Sequence, residues 1–391
     1  MNLNFGRARF WGVALFLCLG WLGNPRGLTA APPLRAAWVA SVSNLNFPTR
    51  PGQSSTAQRE QIRRLVDRAA DCGLNALMVQ VRPEGDALYS SDLEPWSRFL
   101  TGKQGGDPGY DPLAEFIAQG QRRGVAIHAW LNPFRAASGS GARTSNHLSN
   151  RLPGSTRRVG RWLWMDPGDP AVRARVVAVA TDIVRRYQVA GVVLDDYFYP
   201  YPDSGLPRGT FPDEGTFARY GEGASLPDWR RHNVDELVRT LKSSLAATRR
   251  GALFGVSPFG IYRPNVPAGV EARVDQYAEL YADPVRWLRE GWVDYLSPQL
   301  YWPDAGPQSY SALLRWWRSP AVNPRGIPIF PSIALDRLGG EGFNWPPSEI
   351  GHQLALEKSL SARGGEGFIL WSVGPLMRNQ KGVNAVVAAA K

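Results

Sequence analysis

Cysteine and histidine are scarce in this sequence of 391 residues, and their scarcity narrows the chemistry that it supports. There are 2 cysteines and 4 histidines. Cys18 lies in an apolar amino-terminal segment, so removal of that segment leaves Cys72 alone. One cysteine excludes a disulfide framework, and Cys72 on a helix face is typical of a small buried residue. The histidines are scattered, and no His, Asp or Glu cluster has the spacing of metal ligands. We therefore expect no metal and no other cofactor.

The motifs of two large enzyme classes are also missing. The chain has no Gly-x-Ser-x-Gly nucleophile elbow and no glycine-rich phosphate loop at the start of a helix. The net charge is +11, yet no stretch concentrates lysine and arginine as a nucleic-acid-binding arm does. We expect no nucleic-acid partner, and the scattered positive charge favours an envelope polysaccharide or an acidic membrane surface.

The first thirty residues differ in character from the rest. Arg7 and Arg9 precede a short apolar segment, and small residues follow it at 29–31. This layout predicts a secretory signal peptide over residues 1–30, and the apolar segment is short for a membrane span. We expect an exported protein, periplasmic or extracellular, whose mature domain covers residues 31–391 and has no stable membrane span. An uncleaved amino-terminal anchor is the alternative.

Short apolar runs alternate with helical patterns eight times along the mature chain. Several helical patterns open on an Asp-Pro pair, which supplies an N-cap and a first-turn proline. This alternation predicts an α/β fold, the (β/α)8 TIM barrel. Long loops follow strands 3 and 4, at 133–169 and 200–226, on the side where barrel loops build active sites. The predicted strands are Arg35 to Ser41, Ala76 to Arg82, Ala126 to Asn132, Gly191 to Tyr197, Phe254 to Phe259, Tyr295 to Tyr301, Pro328 to Leu335 and Gly367 to Val373.

The stretch GVVLDDYFYPY, residues 191–201, contains the predicted strand 4 and changes abruptly from apolar residues to two carboxylates, Asp195 and Asp196. Burial of one ionised carboxylate costs roughly several kcal/mol unless the group is paired or hydrogen-bonded. Neighbours in an extended strand point to opposite faces, so we expect one aspartate to face the barrel mouth and the other to support it. The structural alternative is that both accept backbone N–H groups at a turn.

The other predicted strands also end in polar and aromatic residues, which a barrel brings together at one mouth. Aromatic side chains at strand ends suit a sugar-binding cleft, because the C–H faces of pyranose rings pack on them. His128 is equally well explained as a hydrogen-bonded histidine of the barrel core. The expected substrate contacts are Arg82, His128, Trp130, Asn132, Arg135, Tyr197, Gln299, Tyr301, Trp302 and Trp371.

Carboxylates are the strongest chemical groups in this set. Two carboxyl groups that flank a glycosidic bond are sufficient for hydrolysis without a cofactor. Asp195 and Asp196 are the first catalytic candidates, and Glu84 is a third. Asp283 also falls near the mouth, but its Asp-Pro context favours a helix cap. The partner carboxylate stays open among Glu84, the other aspartate of strand 4, Asp336 and Asp304.

Seven segments that span nearly the whole mature chain carry a family resemblance: MVQVRPEGDALYSSDLEPWSRFLTGKQGGDPGYDPL, HAWLNPFR, MDPGDPAVR, GVVLDDYFYP, FGVSPFGIYR, YADPVRWLREGWVDYLSPQLYWP and ILWSVG. They resemble the glycosyl hydrolase-like family 10 proteins of bacterial envelopes. The resemblance implies a TIM barrel related to glycoside hydrolases and, for some relatives, cleavage of peptidoglycan glycan strands that have lost their stem peptides. It places the acidic motif on Asp195 and Asp196 and groove positions on Arg82, Asn132, Tyr197, Gln299, Tyr301 and Trp302.

The chain departs from many relatives in one respect, since Leu17 precedes Cys18 where a lipoprotein signal has a small residue. Two functional hypotheses follow. The first is a glycoside hydrolase that acts on peptidoglycan or a related N-acetylated envelope polysaccharide. The second is a non-catalytic barrel that binds envelope glycan. A second carboxylate that faces the same cleft distinguishes them, because hydrolysis requires it.

Overall fold

Eight parallel strands form the central sheet, which confirms the predicted TIM barrel. The structure, a computed structural model, describes Met1 and residues 33–139, 141–340, 342–361 and 366–390. The predicted signal peptide therefore lies outside the described residues, Met1 apart, and stays a prediction. The strands are β1 (Leu34–Val39), β2 (Ala76–Arg82), β3 (Ala126–Leu131), β4 (Arg135–Ser138), β5 (Thr156–Val159), β6 (Trp162–Met165), β7 (Gly191–Leu194), β8 (Leu253–Val256), β9 (Tyr295–Leu296), β10 (Ser332–Ala334) and β11 (Gly367–Trp371).

The strand order in the large sheet is β10-β11-β1-β2-β3-β7-β8-β9. Parallel bridges between Leu296 and Ile329 and between Gln299 and Ser332 join β9 to β10 and close the barrel. No described helix is both long enough and apolar enough to cross a membrane. The helices are α1 (Ser55–Asp71), α2 (Arg98–Thr101), α3 (Pro112–Arg123), α4 (Leu148–Arg151), α5 (Pro170–Arg186), α6 (Glu214–Tyr220), α7 (Leu226–Thr248), α8 (Gln276–Glu279), α9 (Pro284–Glu290), α10 (Tyr310–Arg318), α11 (Pro347–Ser359), α12 (Val373–Met377) and α13 (Val383–Ala388).

Several strands are shorter than the sequence predicts. Strand 6, expected over Tyr295 to Tyr301, is a two-residue strand followed by the bridge at Gln299, and strand 4 ends at Leu194. Proline explains the shortening of the strands that pair late in the chain, since it has no N–H to donate to the ladder. Pro298 follows β9 and Pro331 precedes β10.

The barrel interior is filled by alternate residues of the strands, which places a small core inside the sheet and the main core between sheet and helices. Side chains of very different size meet there. A Cβ atom on Gly255 of β8 would lie 2.1 Å from the ring of Tyr295, so only glycine leaves room for that tyrosine. Outside the sheet, helix caps set the helix starts as expected: Asp283 accepts from the amide of Arg286 at 3.1 Å and caps α9.

The long loop after strand 3 has a structure of its own. Strands β4, β6 and β5 form an antiparallel sheet within it, in that order. The indole N–H of Trp164 in β6 donates to the carbonyl of Phe198 at 2.9 Å, which fixes this sheet above the end of β7. Arg157 in β5 reaches Asp166 of the same loop and Thr216 of α6, both at 2.8 Å. The two long loops therefore build one wall beside the mouth.

Candidate active site

A cavity of about 240 Å³ opens at the carboxyl ends of the barrel strands. A larger cavity of about 410 Å³ lies at the opposite end, against Pro33 and Gly367, where β1 and β11 begin. Barrel enzymes carry their chemistry at the carboxyl ends of the strands, so the first cavity, here called the mouth cavity, is the candidate site. Its lining residues are Trp38, Trp130, Asp195, Asp196, Tyr197, Tyr201, Ser257, Gln299, Tyr301, Asp336, Arg337 and Trp371.

Asp195 accepts three hydrogen bonds in this cavity. Its Oδ2 accepts from the indole of Trp130 at 3.0 Å and from the side-chain amide of Asn132, and its Oδ1 accepts from the amide of Tyr197 at 3.3 Å. Burial, and after it the charge of Asp196, raise the pKa of Asp195 to about 7. Both protonation states are therefore populated near neutral pH, which suits a group that transfers a proton.

Asp196 also lines the mouth cavity, which differs from the expectation that one aspartate points away. The strand ends at Leu194, so both carboxylates lie in the following loop and strand alternation does not apply to them. The hydroxyl of Tyr201 donates to Oδ2 of Asp196, and Gln299 also donates to this carboxyl group. Burial nevertheless raises the pKa of Asp196.

A third carboxyl group, Asp336, belongs to the same cavity and follows β10. Burial raises the pKa of Asp336, while the adjacent Arg337 acts in the opposite direction. Its Oδ1 has no hydrogen-bond partner within the described part of the chain. This oxygen is shielded from solvent, while the carboxyl group also accepts a hydrogen bond from the side chain of Trp371.

Aromatic rings form the walls around these carboxyl groups. Trp130 lies edge to face with Trp38 and Trp371, at centroid distances of 5.1 and 6.0 Å. On the other side Tyr197 and Tyr201 pack with centroids 5.4 Å apart. Such rings present flat apolar faces of the kind on which sugar rings pack.

Seven of the thirteen predicted site residues line the mouth cavity: Trp130, Asp195, Asp196, Tyr197, Gln299, Tyr301 and Trp371. Asn132 lies directly behind Asp195, where its Oδ1 accepts from Gln80 and Arg135, both at 2.5 Å. Arg135 lines an adjoining cavity of about 420 Å³, here called the side cavity.

The structure places Arg82 and Glu84 outside the mouth cavity. Arg82 is fully buried, and its guanidinium pairs with Glu94 at 2.5 Å and donates to the carbonyl of Asn132 at 2.6 Å. Glu84 accepts from Arg98 at 3.1 Å and from the hydroxyl of Ser138 at 2.5 Å. Their charged groups are thus engaged with other parts of the protein, which fits positions that support the loops.

His128 and Trp302 also lie apart from the mouth cavity. His128 is buried inside the barrel, where its Nδ1 lies 3.3 Å from the hydroxyl of Tyr295, and burial lowers its pKa to about 4. This position agrees with the alternative of a core histidine. Trp302 packs edge to face on Phe259, with centroids 5.6 Å apart.

Asp304, one of the open candidates for the partner carboxylate, is bound to the start of α10, where Ser309 is the N-cap. Burial acts to raise its pKa, but hydrogen bonds from the backbone and side chain of Ser311 and from His352 and Ser309 lower the pKa to about 2. The residue does not line the mouth cavity. No three His, Cys, Asp or Glu side chains in the described ranges are grouped as metal ligands.

Four lining residues were not expected as substrate contacts: Trp38, Tyr201, Ser257 and Arg337. Tyr201 ends the DDYFYPY stretch, so its aromatic character was the available signal. Trp38 lies well before the end of its predicted strand, and only its length brings the indole up to the cavity, where it donates to Ser332 at 3.1 Å.

The barrel and its acidic, aromatic mouth define a TIM-barrel protein that is similar to glycoside hydrolases. A family model described as glycosyl hydrolase-like 10 matches residues 33–341, and the chain belongs to that family. It is 35% identical over 363 residues to the glycosyl hydrolase YngK of Bacillus subtilis, which covers 90% of this chain and 70% of that protein. It is 34% identical over 333 residues to the glycosyl hydrolase DigH of Escherichia coli K12, with 79% and 75% covered.

Solved structures show the same fold at low sequence identity. The glycoside hydrolase domain of PgaB (BpsB) from Bordetella bronchiseptica is similar with a TM-score of 0.58 and 14% identity, over 91% of this chain and 98% of that one. The α-L-fucosidase isoenzyme 2 from Paenibacillus thiaminolyticus gives 0.56 and 13%, over 92% and 48%. These likenesses concern the barrel.

Proposed function

We propose that this protein is a glycoside hydrolase that cleaves peptidoglycan glycan strands without stem peptides, or a related N-acetylated envelope polysaccharide. The observation that carries the proposal is the presence of three carboxyl groups, Asp195, Asp196 and Asp336, in one aromatic cavity at the barrel mouth. A barrel that only binds glycan has no need for several buried carboxyl groups, which are costly to keep. Family membership supports the same reaction class.

Hydrolysis needs one protonated and one ionised carboxyl group across the scissile bond. Asp195, whose pKa is raised to about 7, gives its proton to the leaving oxygen. Asp336, beside Arg337, is the ionised partner: its carboxylate takes the proton of the water that attacks the anomeric carbon, or itself bonds to that carbon as the glycosidic bond breaks. Burial keeps the proton on Asp195, and the charge of Asp196 adds to this effect.

The test is digestion of peptide-free glycan strands by the wild type and by Asp195→Asn, Asp196→Asn and Asp336→Ala variants, followed by analysis of strand length. We expect shortened strands with the wild type and losses of about 10²-fold or more for the first and third variants. Intact strands after incubation with the wild type count against this substrate. Full activity in both Asp195→Asn and Asp336→Ala refutes the assigned chemistry.

Hydrolysis of an aryl glycoside distinguishes the acid role of Asp195 from the role of Asp336, because its leaving group needs no protonation. Asp195→Asn should keep most of its activity there, whereas Asp336→Ala should stay inactive until azide replaces the lost carboxylate. The opposite pattern exchanges the two roles. We also propose export, as Arg7, Arg9 and the apolar segment predict, and the mass of the mature protein recovered from the envelope tests it.

A further inference from the structure

Arg135 differs from the other buried arginines in having no described carboxylate in direct contact. Among described residues only Arg82, Arg135 and Arg230 are buried to this degree, with exposed fractions of 0%, 6% and 2%. Arg82 pairs with Glu94 and Arg230 pairs with Asp213, at 2.5 and 2.6 Å. No described carboxylate lies within salt-bridge distance of Arg135. Burial raises the pKa of Asp195 and Asp196 and the charge of Arg135 acts to lower both, but neither carboxylate contacts the guanidinium, which leaves it open to an anion from outside the chain.

The guanidinium of Arg135 is held in place by neutral groups. Its Nε donates to the carbonyl of Pro83 at 3.1 Å, and its Nη2 donates to Oδ1 of Asn132 at 2.5 Å. Its Nη1 has no acceptor in the described part of the chain. The planar group is therefore oriented and still has donors to offer, which is the arrangement that binds a carboxylate at two points.

Arg135 contributes to the side cavity, and aromatic rings surround it there. Its guanidinium lies 5.3 Å from the ring centre of Tyr197 and 5.8 Å from that of Trp162. Tyr197 and Tyr201 line both the side cavity and the mouth cavity. One glycan can therefore extend from the carboxyl groups of the mouth cavity to Arg135, with its rings against these aromatic faces.

The long loop that bears Arg135 is also strongly basic. Residues 133–169 contain six arginines, no lysine and two acidic residues, so this stretch supplies +4 of the net charge of +11. Asp203 is the acidic residue on the rim of the side cavity, but it is exposed, so solvent screens its charge more than that of buried Arg135.

We propose that the side cavity is a subsite for a sugar unit that carries a free carboxylate, and that Arg135 binds this carboxylate. The inference rests on the proposed function and extends it to substrate choice. In a peptide-free peptidoglycan strand every second sugar has a lactyl ether with a free carboxylate. A stem peptide turns that carboxylate into a neutral amide and adds bulk. Arg135 thus favours strands whose peptides have been removed.

The test measures ligand binding by calorimetry. The parent protein is the full chain with Asp195→Asn, so that the ligands stay intact. Two ligands of equal length are compared, peptide-free strands and the same strands after reduction of their carboxylates to alcohols. The preference is measured again after adding Arg135→Gln, Arg135→Lys or Arg158→Gln. Arg158 is exposed on β5 and does not line the side cavity, so its replacement removes the same charge from the same loop.

We expect the parent and Arg158→Gln proteins to bind the carboxylated strands about tenfold more tightly, the effect of one charge-assisted hydrogen-bond pair. Arg135→Gln should bind both ligands equally, and Arg135→Lys should keep part of the preference. Equal binding of both ligands by the parent, or a preference retained in Arg135→Gln, overturns the subsite but leaves hydrolysis intact. Failure of both ligands to bind the parent, with no cleavage by the wild type, overturns the proposed function as well.

Discussion

The indole N–H of Trp130 donates to Oδ2 of Asp195 at 3.0 Å, across the boundary between β3 and the loop after β7. A donor of this kind stabilises the ionised form and lowers the pKa of the carboxyl group, against the larger effect of burial. Trp130 therefore forms part of the cavity wall and also lowers the pKa of Asp195.

Trp130→Phe should raise the pKa of Asp195 above about 7, because it removes the donor and keeps an aromatic wall. If Asp195 acts as the acid, activity is lost as pH rises through this pKa. We expect the alkaline limb of the profile of kcat/KM against pH to move to higher pH. Trp38→Phe, which changes a tryptophan of the same cavity that donates to Ser332, is the control and should leave the limb in place. A limb that moves to lower pH contradicts the role of the indole.

Asp195→Asn should stabilise the fold, and more so at pH 8 than at pH 5. The pKa of Asp195 is about 7 in the folded protein and about 3.9 in an unfolded chain. Below about pH 3.9 the carboxyl group is protonated in both states, and as pH rises from there to about 7 the free energy of unfolding falls. Asparagine is neutral throughout. We expect thermal denaturation to show an increase in Tm of about a few °C at pH 8 and less at pH 5.

Asp304→Asn provides the comparison with opposite sign. The pKa of Asp304 is about 2, below its unfolded value, so the ionised group stabilises the protein above about pH 4 and the effect is lost as pH falls towards 2. This variant should lower Tm at pH 8. An increase in Tm for both variants means that the burial of Asp195 is not the cause.

Glu84→Gln should retain kcat/KM within about threefold, although sequence made Glu84 a catalytic candidate. Its carboxylate contacts Arg98 and Ser138 outside the mouth cavity, so the loss should be one of stability, about 1–3 kcal/mol. Kinetics below the melting temperature and urea denaturation measure the two effects. A loss of activity comparable to that of Asp195→Asn restores Glu84 to the catalytic set.

Glu94→Gln should destabilise the protein by about 3–5 kcal/mol, because it leaves Arg82 charged, buried and without a carboxylate. The double variant Arg82→Met, Glu94→Leu removes both charges and should cost less than the single change. Equilibrium denaturation decides between them. A double variant that is less stable than Glu94→Gln would show that the hydrogen bonds of Arg82 to backbone carbonyls matter more than the charge.

The sequence predicted the barrel because each strand and helix has a local pattern, but it could not predict where pairing stops. Pro298 and Pro331 interrupt the ladder of the closing strands, and Leu194 ends β7 before the two aspartates. That early end is why both Asp195 and Asp196 reach the cavity. Strand alternation is a rule about extended backbone and says nothing of the loop that follows.

Only part of the site could be predicted, for a similar reason. A polar residue at a strand end is visible in a sequence, but its partner is not. Arg82 and Arg135 both lie at or just after the end of a predicted strand, yet Glu94 pairs directly with Arg82, whereas no described carboxylate contacts Arg135. Trp38 was missed for the opposite reason. It lies before the end of its predicted strand, yet its long side chain reaches the cavity.

The contact between Gly255 and Tyr295 limits how this barrel can be redesigned. With a Cβ at position 255 only 2.1 Å from the tyrosine ring, a side chain can be added there only if Tyr295 is replaced by a smaller residue. A larger residue on β8 requires a smaller one on β9 in the same step, because either intermediate leaves an overlap or a void. Strand exchange with another barrel therefore has to carry both strands across together.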